Sequence, residues 1–179
     1  MTQFTFYTIE NSDGEAKALL EEIQQQYGFI PNLYAYMAEA PITIKAYLAM
    51  MDLLKQGIFT PPQLQVALLA ASVANECDFC TTVHRALGKM SKANQQTLDA
   101  IHSGSSVLDS TDQALVSFVQ KMVNQRGHLN DEEISAFLDA GFSHQHIMEV
   151  TLIVSTKTLS NYINHLTKTE SNQELLNML

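Results

Sequence analysis

The segment spanning residues 61–75 limits the possible folds more than any other stretch, because its side chains are apolar on nearly every face of a helix. Thr60 can cap this helix by accepting a hydrogen bond from a backbone N–H, and Gln63 can reach back to complete a capping box. Pro61 fits the first helical position, where no N–H donor is needed. A helix that is apolar all round has to be buried, so other elements must surround it.

Most of the remaining sequence carries apolar residues at helical spacing on one face, which is typical of helices packed around a core. No apolar run of period two is flanked by hairpin turns, so we predict an all-α fold, a compact helical bundle. The predicted helices cover residues 15–27, 31–37, 41–57, 61–75, the stretch from the cysteines to a stop at Gly88, 91–102, 110–127, 130–141, a longest helix from Ser143, and a last turn near Leu175. The side chains expected to point inward from the longest helix are Ile147, Val150, Thr151, Val154, Leu159 and Ile163.

The chain has 179 residues, which is long enough to bury its own core. Hydrophobic residues make up 46% and charged residues 16%, a balance found in globular rather than disordered chains. Residues 103–106, Ser-Gly-Ser-Ser, are the best candidate linker. We therefore expect a single helical domain over residues 1–179, with a cysteine-bearing half at 1–102 and a C-terminal helical half at 107–179.

The charge balance argues against nucleic acid and membrane partners. A net charge of -9 leaves no basic surface for phosphate backbones or anionic lipids. The N-terminus lacks the cationic start and apolar core of a signal peptide, and no apolar run is long enough to cross a bilayer. We therefore expect a cytoplasmic protein. In a reducing compartment, a pair of nearby cysteines is more often catalytic or metal-binding than a structural disulfide.

Both cysteines of the chain lie in Cys77-Asp-Phe-Cys80, directly after the apolar helix. At the start of a helix this spacing puts both thiols on one face, close enough to form a disulfide, and His84 lies one turn further along. The helix N-terminus favours a thiolate, whereas the carboxylates of Glu76 and Asp78 oppose it. We expect the helix dipole and His84 to prevail for the sulfur that points inward.

Gln65 lies ten residues before the expected chain reversal near Asn75, and His84 lies about nine residues after it. At about 1.5 Å per residue, two antiparallel helices would bring these side chains face to face. Such a pair could hold a water molecule between them and orient the imidazole.

A Glu or Gln followed after eleven residues by Cys-x-x-Cys-x-x-x-His resembles the signature of the AhpD-like alkylhydroperoxidases in the carboxymuconolactone decarboxylase family. Three further segments are similar to the peroxidase-related branch of that family: residues 27–33 (Tyr-Gly-Phe-Ile-Pro-Asn-Leu), 140–142 (Ala-Gly-Phe) and 161–165 (Asn-Tyr-Ile-Asn-His). The resemblance implies an all-helical fold, assembly as trimers or hexamers, and an antioxidant peroxide-reducing dithiol. No flavin, nicotinamide or metal is required for this chemistry, and the sequence has no glycine-rich phosphate loop.

The resemblance also assigns roles. Cys80 would attack the peroxide, Cys77 would resolve the sulfenic acid, His84 would match the relay histidine, and Gln65 takes the place of the relay glutamate. Because a glutamine cannot take up a proton at neutral pH, the relay cannot operate as in the family. Either His84 acts alone through water, Glu76 substitutes from beside Cys77, or the peroxidase activity is weak.

The leading hypothesis is an enzyme that reduces a small hydroperoxide and is regenerated by an external dithiol, such as a lipoyl group or a thioredoxin-like protein. One alternative is a thiol-disulfide reductase or redox sensor without strong peroxidase activity. A second is a non-enzymatic oligomeric scaffold in which the cysteines are buried small hydrophobes. A third is a zinc site built on Cys77, Cys80 and His84, which would need a fourth ligand.

Overall fold

The computed structural model describes residues 4–179, which form ten helices and no strand, so the predicted all-α fold is confirmed for this part of the chain. The helices are α1 (Gly14–Tyr27), α2 (Asn32–Met37), α3 (Pro41–Lys55), α4 (Pro61–Ala74), α5 (Asp78–Met90), α6 (Gln95–Ser103), α7 (Ser110–Asn124), α8 (Asp131–Asp139), α9 (His144–Thr167) and α10 (Gln173–Leu176). Within residues 4–179, no helix is long and apolar enough to cross a membrane.

Helix α4 occupies the centre of the bundle, as its all-round apolar surface predicts. It packs against α5, α6, α7 and α9, and eight of its fourteen residues are buried. The predicted capping box is present: Thr60 Oγ1 accepts from Gln63 N at 3.4 Å, and Thr60 N donates to Gln63 Oε1 at 3.1 Å. The cap fixes the start of α4 and therefore the position of Gln65, which follows one turn later.

Two apolar clusters form the interior, and the larger one is built around α4. The large core draws side chains from both sides of the 103–106 segment, including Leu98, Leu115 and Ile153. The small core contains both cysteines. Its buried members are Leu20, Ile23, Leu33, Tyr34, Met37, Ala38, Ile44, Tyr47, Cys77, Phe79, Cys80 and Leu175.

Helix α9 is the longest element, with 24 residues, and its buried face runs along both cores. Ile147, Val150 and Ile153 belong to the large core, but the expected inward position of Thr151 is wrong because this residue is exposed. In the second half, Leu159 and Ile163 are half-buried, whereas the fully buried side chains are polar. The buried polar residues of α9 are Thr156, Lys157, Ser160, Asn161 and Asn164. The buried stripe keeps its helical period and does not follow hydrophobicity.

Helix α5 continues through Gly88 to Met90, so the expected stop at Gly88 is wrong. A Cβ atom at this position would lie 2.8 Å from Leu98 Cδ2. Gly88 therefore allows α5 to approach α6 closely, and it is this contact rather than helix termination that requires a glycine.

Candidate active site

The two cysteines lie where the chain reverses between α4 and α5. Asn75 ends α4, Glu76 adopts a left-handed conformation with φ 55°, and Cys77 is the N-cap residue of α5. Cys80 follows within the first turn of that helix. Both sulfurs are free thiols and both residues are 2% exposed. The start of α5 thus buries the dithiol in the small core, with the helix N-terminus favouring a negative charge on sulfur.

Gln65 and His84 meet directly, without the intervening water that the sequence suggested. Gln65 Oε1 lies 3.0 Å from His84 Nδ1, and because an amide oxygen only accepts, the proton of the imidazole resides on Nδ1. On the other side of the ring, Lys157 Nζ lies 2.9 Å from His84 Nε2. An ammonium group only donates, so Nε2 accepts and the imidazole is neutral. Burial and the charge of Lys157 both hold the pKa of His84 well below its ordinary value.

Lys157 is fully buried, with 0% of its surface exposed. Burial lowers the pKa of a lysine, but the Cys80 thiolate and the Tyr47 hydroxyl act in the opposite direction, and the net pKa of Lys157 is raised. Lys157 therefore keeps its charge inside the protein because a thiolate lies beside it.

Cys80 is surrounded by polar groups on one face of α9. Asn164 Nδ2 donates to Cys80 Sγ at 3.2 Å and Ser160 Oγ lies 3.9 Å from the same sulfur, and the positive charge of Lys157 acts on it as well. Burial opposes ionisation, but the hydrogen bond from the Cys77 thiol and the charge of Lys157 outweigh it and lower the pKa of Cys80 to about 5. At neutral pH, Cys80 is a thiolate.

Cys77 behaves in the opposite way. Its hydrogen bond to Cys80, followed by burial, raises the pKa of the Cys77 thiol far above its ordinary value. Asn164 Nδ2 also lies 3.7 Å from Cys77 Sγ, so one amide contacts both sulfurs. The pair is therefore polarised into a thiolate at Cys80 and a thiol at Cys77.

A cavity of about 460 Å³ opens onto this thiolate. Cys80, His84, Lys157 and Gln65 line one end of it, and Cys77 is not among its lining residues. The remaining wall is largely apolar and aromatic. Its side chains include Tyr27, Phe29, Pro31, Leu33, Tyr34, Tyr47, Met51, Phe79, Val83, Leu87, Met90, Leu175 and Met178. A substrate of small to moderate size with an apolar body would fit this space.

The C-terminal segment supplies part of that wall through Leu175 and Met178. Asn172, just before α10, holds the segment in place: its Oδ1 accepts from Asn32 N at 2.8 Å and its Nδ2 donates to Ile30 O at 3.1 Å. We call this pair of asparagines, Asn32 and Asn172, the asparagine clasp. It joins the segment before α10 to the start of α2, while α10 itself packs against α5.

Of the five site residues expected from the sequence, the structure brings together Cys77, Cys80, His84 and Gln65. Glu76 lies at the protein surface in the α4–α5 turn, and it does not line the cavity. Within residues 4–179, no cluster of three or more His, Cys, Asp or Glu side chains is arranged to hold a metal ion.

Sequence reasoning missed Lys157, Ser160 and Asn164. Their spacing of three and four residues continues the inward stripe of α9 from Ile153, and this periodicity could have identified them. A lysine placed on the buried face of a helix needs a negative partner, and the cysteine pair supplies it.

Solved structures with the same fold come from peroxidase-related proteins and a debrominase. A peroxidase-related protein from Ralstonia eutropha JMP134, described as an alkylhydroperoxidase AhpD core, has a TM-score of 0.83 at 21% identity, over 97% of this chain and 93% of its own. A peroxidase-related protein from Silicibacter sp. TM1040 has a TM-score of 0.77 at 19% identity, over 98% and 96%. The debrominase Bmp8, as a cysteine-to-alanine variant in complex with 2,3,4-tribromopyrrole, has a TM-score of 0.79 at 15% identity, over 99% and 96%.

These superpositions cover nearly the whole chain, so the protein has the all-helical AhpD-like fold that the sequence resemblance implied. No protein-family model matches the sequence, and no curated protein matches it.

Proposed function

We propose that this protein is a thiol peroxidase of the AhpD-like family that reduces hydroperoxides through Cys80 and Cys77. The observation that carries the proposal is the position of Cys80: of the two sulfurs, it is the one that lines the cavity, and its pKa is lowered to about 5. A thiolate is the nucleophile that peroxide chemistry requires, and a cavity leading to it admits a small substrate.

In the first step, the Cys80 thiolate attacks the outer oxygen of the hydroperoxide. The O–O bond breaks, one oxygen stays on sulfur as a sulfenic acid, and the other leaves as an alkoxide that takes up a proton to form an alcohol. Sulfur is oxidised by two electrons and the peroxide is reduced by two. Asn164 donates to the sulfur before the reaction and holds the attacking atom in place, while the charge of Lys157 stabilises its ionised form.

In the second step, Cys77 attacks the sulfur of the sulfenic acid, a disulfide forms, and water leaves. The raised pKa of Cys77 derives first from its hydrogen bond to the Cys80 sulfur. Conversion of the thiolate to a neutral sulfenic acid removes that effect, so Cys77 becomes a better nucleophile only after peroxide has reacted. An external dithiol then reduces the disulfide and restores both thiols.

The proposal gives Glu76 no part in proton transfer, because Glu76 lies at the surface, away from the cavity lining. His84 and Gln65 contact each other, and His84 contacts Lys157, so their effect on Cys80 passes through the lysine.

Peroxide consumption by purified protein with a dithiol reductant tests the proposal. We expect Cys80→Ser to abolish turnover. With the reductant left out, Cys77→Ser should consume about one equivalent of peroxide and stop at a sulfenic acid, which a dimedone adduct in the mass spectrum would identify. Thr82→Ser, on the same helix, is the matched control. Turnover by Cys80→Ser at the wild-type rate would contradict the assignment.

Reductive dehalogenation is a second candidate, favoured by the apolar, aromatic cavity and by the similarity in fold to a debrominase bound to a bromopyrrole. The Cys80 thiolate would take bromine from an aryl bromide, and the carbanion left behind would be protonated. Cys77 would then displace bromide from sulfur to form the disulfide. Release of bromide from a brominated aromatic, with the same two cysteine variants, tests this reaction.

A reductase for protein disulfides is less well supported, because both cysteine residues are only 2% exposed. A protein disulfide cannot reach Cys80 without displacing the wall of the cavity, whereas a peroxide can enter it. Failure of both small-molecule assays together with reduction of a protein disulfide would favour this alternative.

We also propose that the chain assembles as a trimer or hexamer. The outer face of α9 exposes three large apolar side chains, Met148, Tyr162 and Leu166, each more than half exposed. Sedimentation velocity measures the assembly directly, and a monomer at micromolar concentration would contradict the proposal.

A further inference from the structure

Gln65, His84 and Lys157 form a chain of hydrogen bonds that ends beside Cys80. The amide oxygen of Gln65 accepts from the imidazole, the imidazole accepts from the ammonium of Lys157, and Lys157 and Cys80 line the same cavity. Two of the four groups are neutral. The charges in the chain are therefore one cation and one thiolate, and they lie side by side.

We propose that Lys157 is the catalytic acid of this site, and that Gln65 positions it through His84. The inference rests on the proposed dithiol function, but it reassigns the proton: the lysine, not a glutamate–histidine relay, delivers it. Lys157 lines the cavity beside the sulfur that is attacked, so its ammonium faces the place where the substrate oxygen departs.

The atoms balance without any further reactant. A thiolate, an ammonium and a hydroperoxide become a sulfenic acid, a neutral amine and an alcohol. The proton on the alcohol is the one that Lys157 loses, and the electron pair on sulfur forms the new S–O bond. Burial favours the neutral amine, and the thiolate that had opposed this effect is consumed in the step. The site is therefore electrically neutral both before and after oxidation.

This balance explains why a glutamine stands at position 65. A glutamate there would place a second negative charge in the chain, which would protonate His84 or pair with Lys157 through it. Either result weakens the electrostatic attraction between Lys157 and the Cys80 thiolate. It also leaves a buried carboxylate without a compensating positive charge after oxidation. Gln65 accepts from Nδ1 and so fixes the tautomer of His84, which leaves Nε2 free to accept from Lys157 and to position the ammonium.

Several other titratable groups face these residues. Tyr47 of α3 lies close enough to couple with Lys157 and Cys80, Tyr34 of α2 lines the cavity, and Cys77 hydrogen-bonds to Cys80. Tyr27 of α1 and Lys55 of α3 lie along the rest of the cavity wall. Among all the titratable groups around Cys80, Lys157 and Cys77 are the ones that lower its pKa, so removing Lys157 should produce a measurable shift.

The first experiment compares Lys157→Met with Lys157→Arg. The ultraviolet absorbance of the thiolate, followed against pH, reports the ionisation of Cys80 and requires no substrate. We expect Lys157→Met to raise the pKa of Cys80 from about 5 toward the free value of about 8.5. Lys157→Arg keeps the charge but cannot release a proton, so Cys80 should still ionise at low pH while the rate with hydroperoxide falls by about 100-fold or more.

The second experiment is Gln65→Glu, which is nearly isosteric and therefore separates charge from packing. We expect the pKa of Cys80 to rise and the hydroperoxide rate at pH 6 to fall by about tenfold or more, because an added carboxylate opposes a thiolate. A higher rate in this variant would restore the glutamate relay and overturn the inference, as would an unchanged pKa of Cys80.

The controls are Lys45→Met and Gln96→Glu, which change the same residue types at exposed positions, where we expect no effect on either readout. The two proposals fail in different ways. If the protein reduces no hydroperoxide, the thiolate titration still tests the role of Lys157. If the protein reduces hydroperoxide and the Lys157 variants match the wild type in titration and rate, the acid has been misassigned while the dithiol function stands.

Discussion

The two halves of α9 each bury one face of the helix, but the buried side chains of the first half are apolar and those of the second half are polar. The first half inserts Ile147, Val150 and Ile153 into the large core, where each contact is apolar. The second half directs Lys157 and Asn164 at the cysteines, where each contact is polar or charged. One helix thus provides a packing surface at one end and a set of donors at the other. Because the helix is rigid, its packing in the large core fixes the positions of the donors near the cysteines.

The difference shows where buried polar groups are tolerated. In the first half, a polar side chain would lack a partner and cost free energy. In the second half, Lys157 donates to His84 and the Asn164 amide nitrogen donates to Cys80, so most of the buried polar groups have partners, although within residues 4–179 Asn161 Nδ2 and Asn164 Oδ1 have none. We therefore expect substitutions in the two halves to affect different measurable quantities.

Ile153→Ala should give the largest change in stability. Ile153 is fully buried, and truncating it leaves a cavity in the large core, so we expect a loss of about 2–5 kcal/mol in the free energy of unfolding. The rate with hydroperoxide per folded molecule should stay at the wild-type value. Urea denaturation measures the first quantity, and Gln145→Ala on the exposed face of the same half is the control, with an expected change within about 0.5 kcal/mol. A large loss of rate would show that the two halves are not separable.

Asn164→Asp should show the opposite pattern, with its main effect on the reactivity of Cys80 rather than on stability. It replaces a donor 3.2 Å from the Cys80 sulfur with a carboxylate, which raises the pKa of the thiol. If that pKa rises from about 5 to about 8, the thiolate fraction at pH 6 falls about 100-fold, and the rate of alkylation by iodoacetamide falls with it. Asn164→Leu, which removes the donor without adding charge, should have a smaller effect. Equal rates for the two variants would exclude an electrostatic role for position 164.

The pH dependence of alkylation sharpens the same comparison. The pKa of Cys80 is depressed to about 5, so the thiolate is present above that pH and is lost as the pH falls through it. We expect a constant intrinsic rate from about pH 6 to 8 and a tenfold decrease for each pH unit well below 5. A midpoint near 8.5, the value for a free thiol, would show that the donors of α9 do not act on the sulfur.

Asn172→Ala should give the smallest effect. It opens the asparagine clasp, whose hydrogen bonds each contribute about 0.5–1.5 kcal/mol. We expect alkylation of Cys80 by a bulky maleimide to accelerate a few-fold, with little change for iodoacetamide. Equal acceleration for both reagents would mean that the C-terminal segment does not restrict the entrance.

Much of the helical core and of the cysteine motif could be predicted from the sequence, but little of the polar half of α9 could. The apolar run of α4, its capping box and the spacing of Cys77, Cys80 and His84 follow local rules, so the central helix and the dithiol were accessible. The position of Gln65 opposite His84 could also be predicted, because two helices joined by a tight turn have a simple geometry.

The failures concern residues whose environment is set by distant parts of the chain. Lys157 reads as a surface residue in the sequence, since lysine is rarely buried, and only the fold brings it to Cys80. Leu159 and Ile163 pack partly buried against the small core, as expected, but the fully buried positions of this stretch belong to their polar neighbours. Glu76 differs, because its surface position is set locally by the left-handed turn between α4 and α5.

The ion pair between Lys157 and Cys80 also has a consequence for the driving force of thiol–disulfide exchange. The pair exists only while Cys80 is reduced, because a disulfide carries no charge. Interactions that stabilise the dithiol raise the reduction potential of the disulfide, as the same linkage requires of any oxidoreductase whose reduced form is the more stable. The disulfide of this protein should therefore be an easily reduced one, so that a mild dithiol suffices to regenerate it. Lys157→Met should lower the potential measured against glutathione.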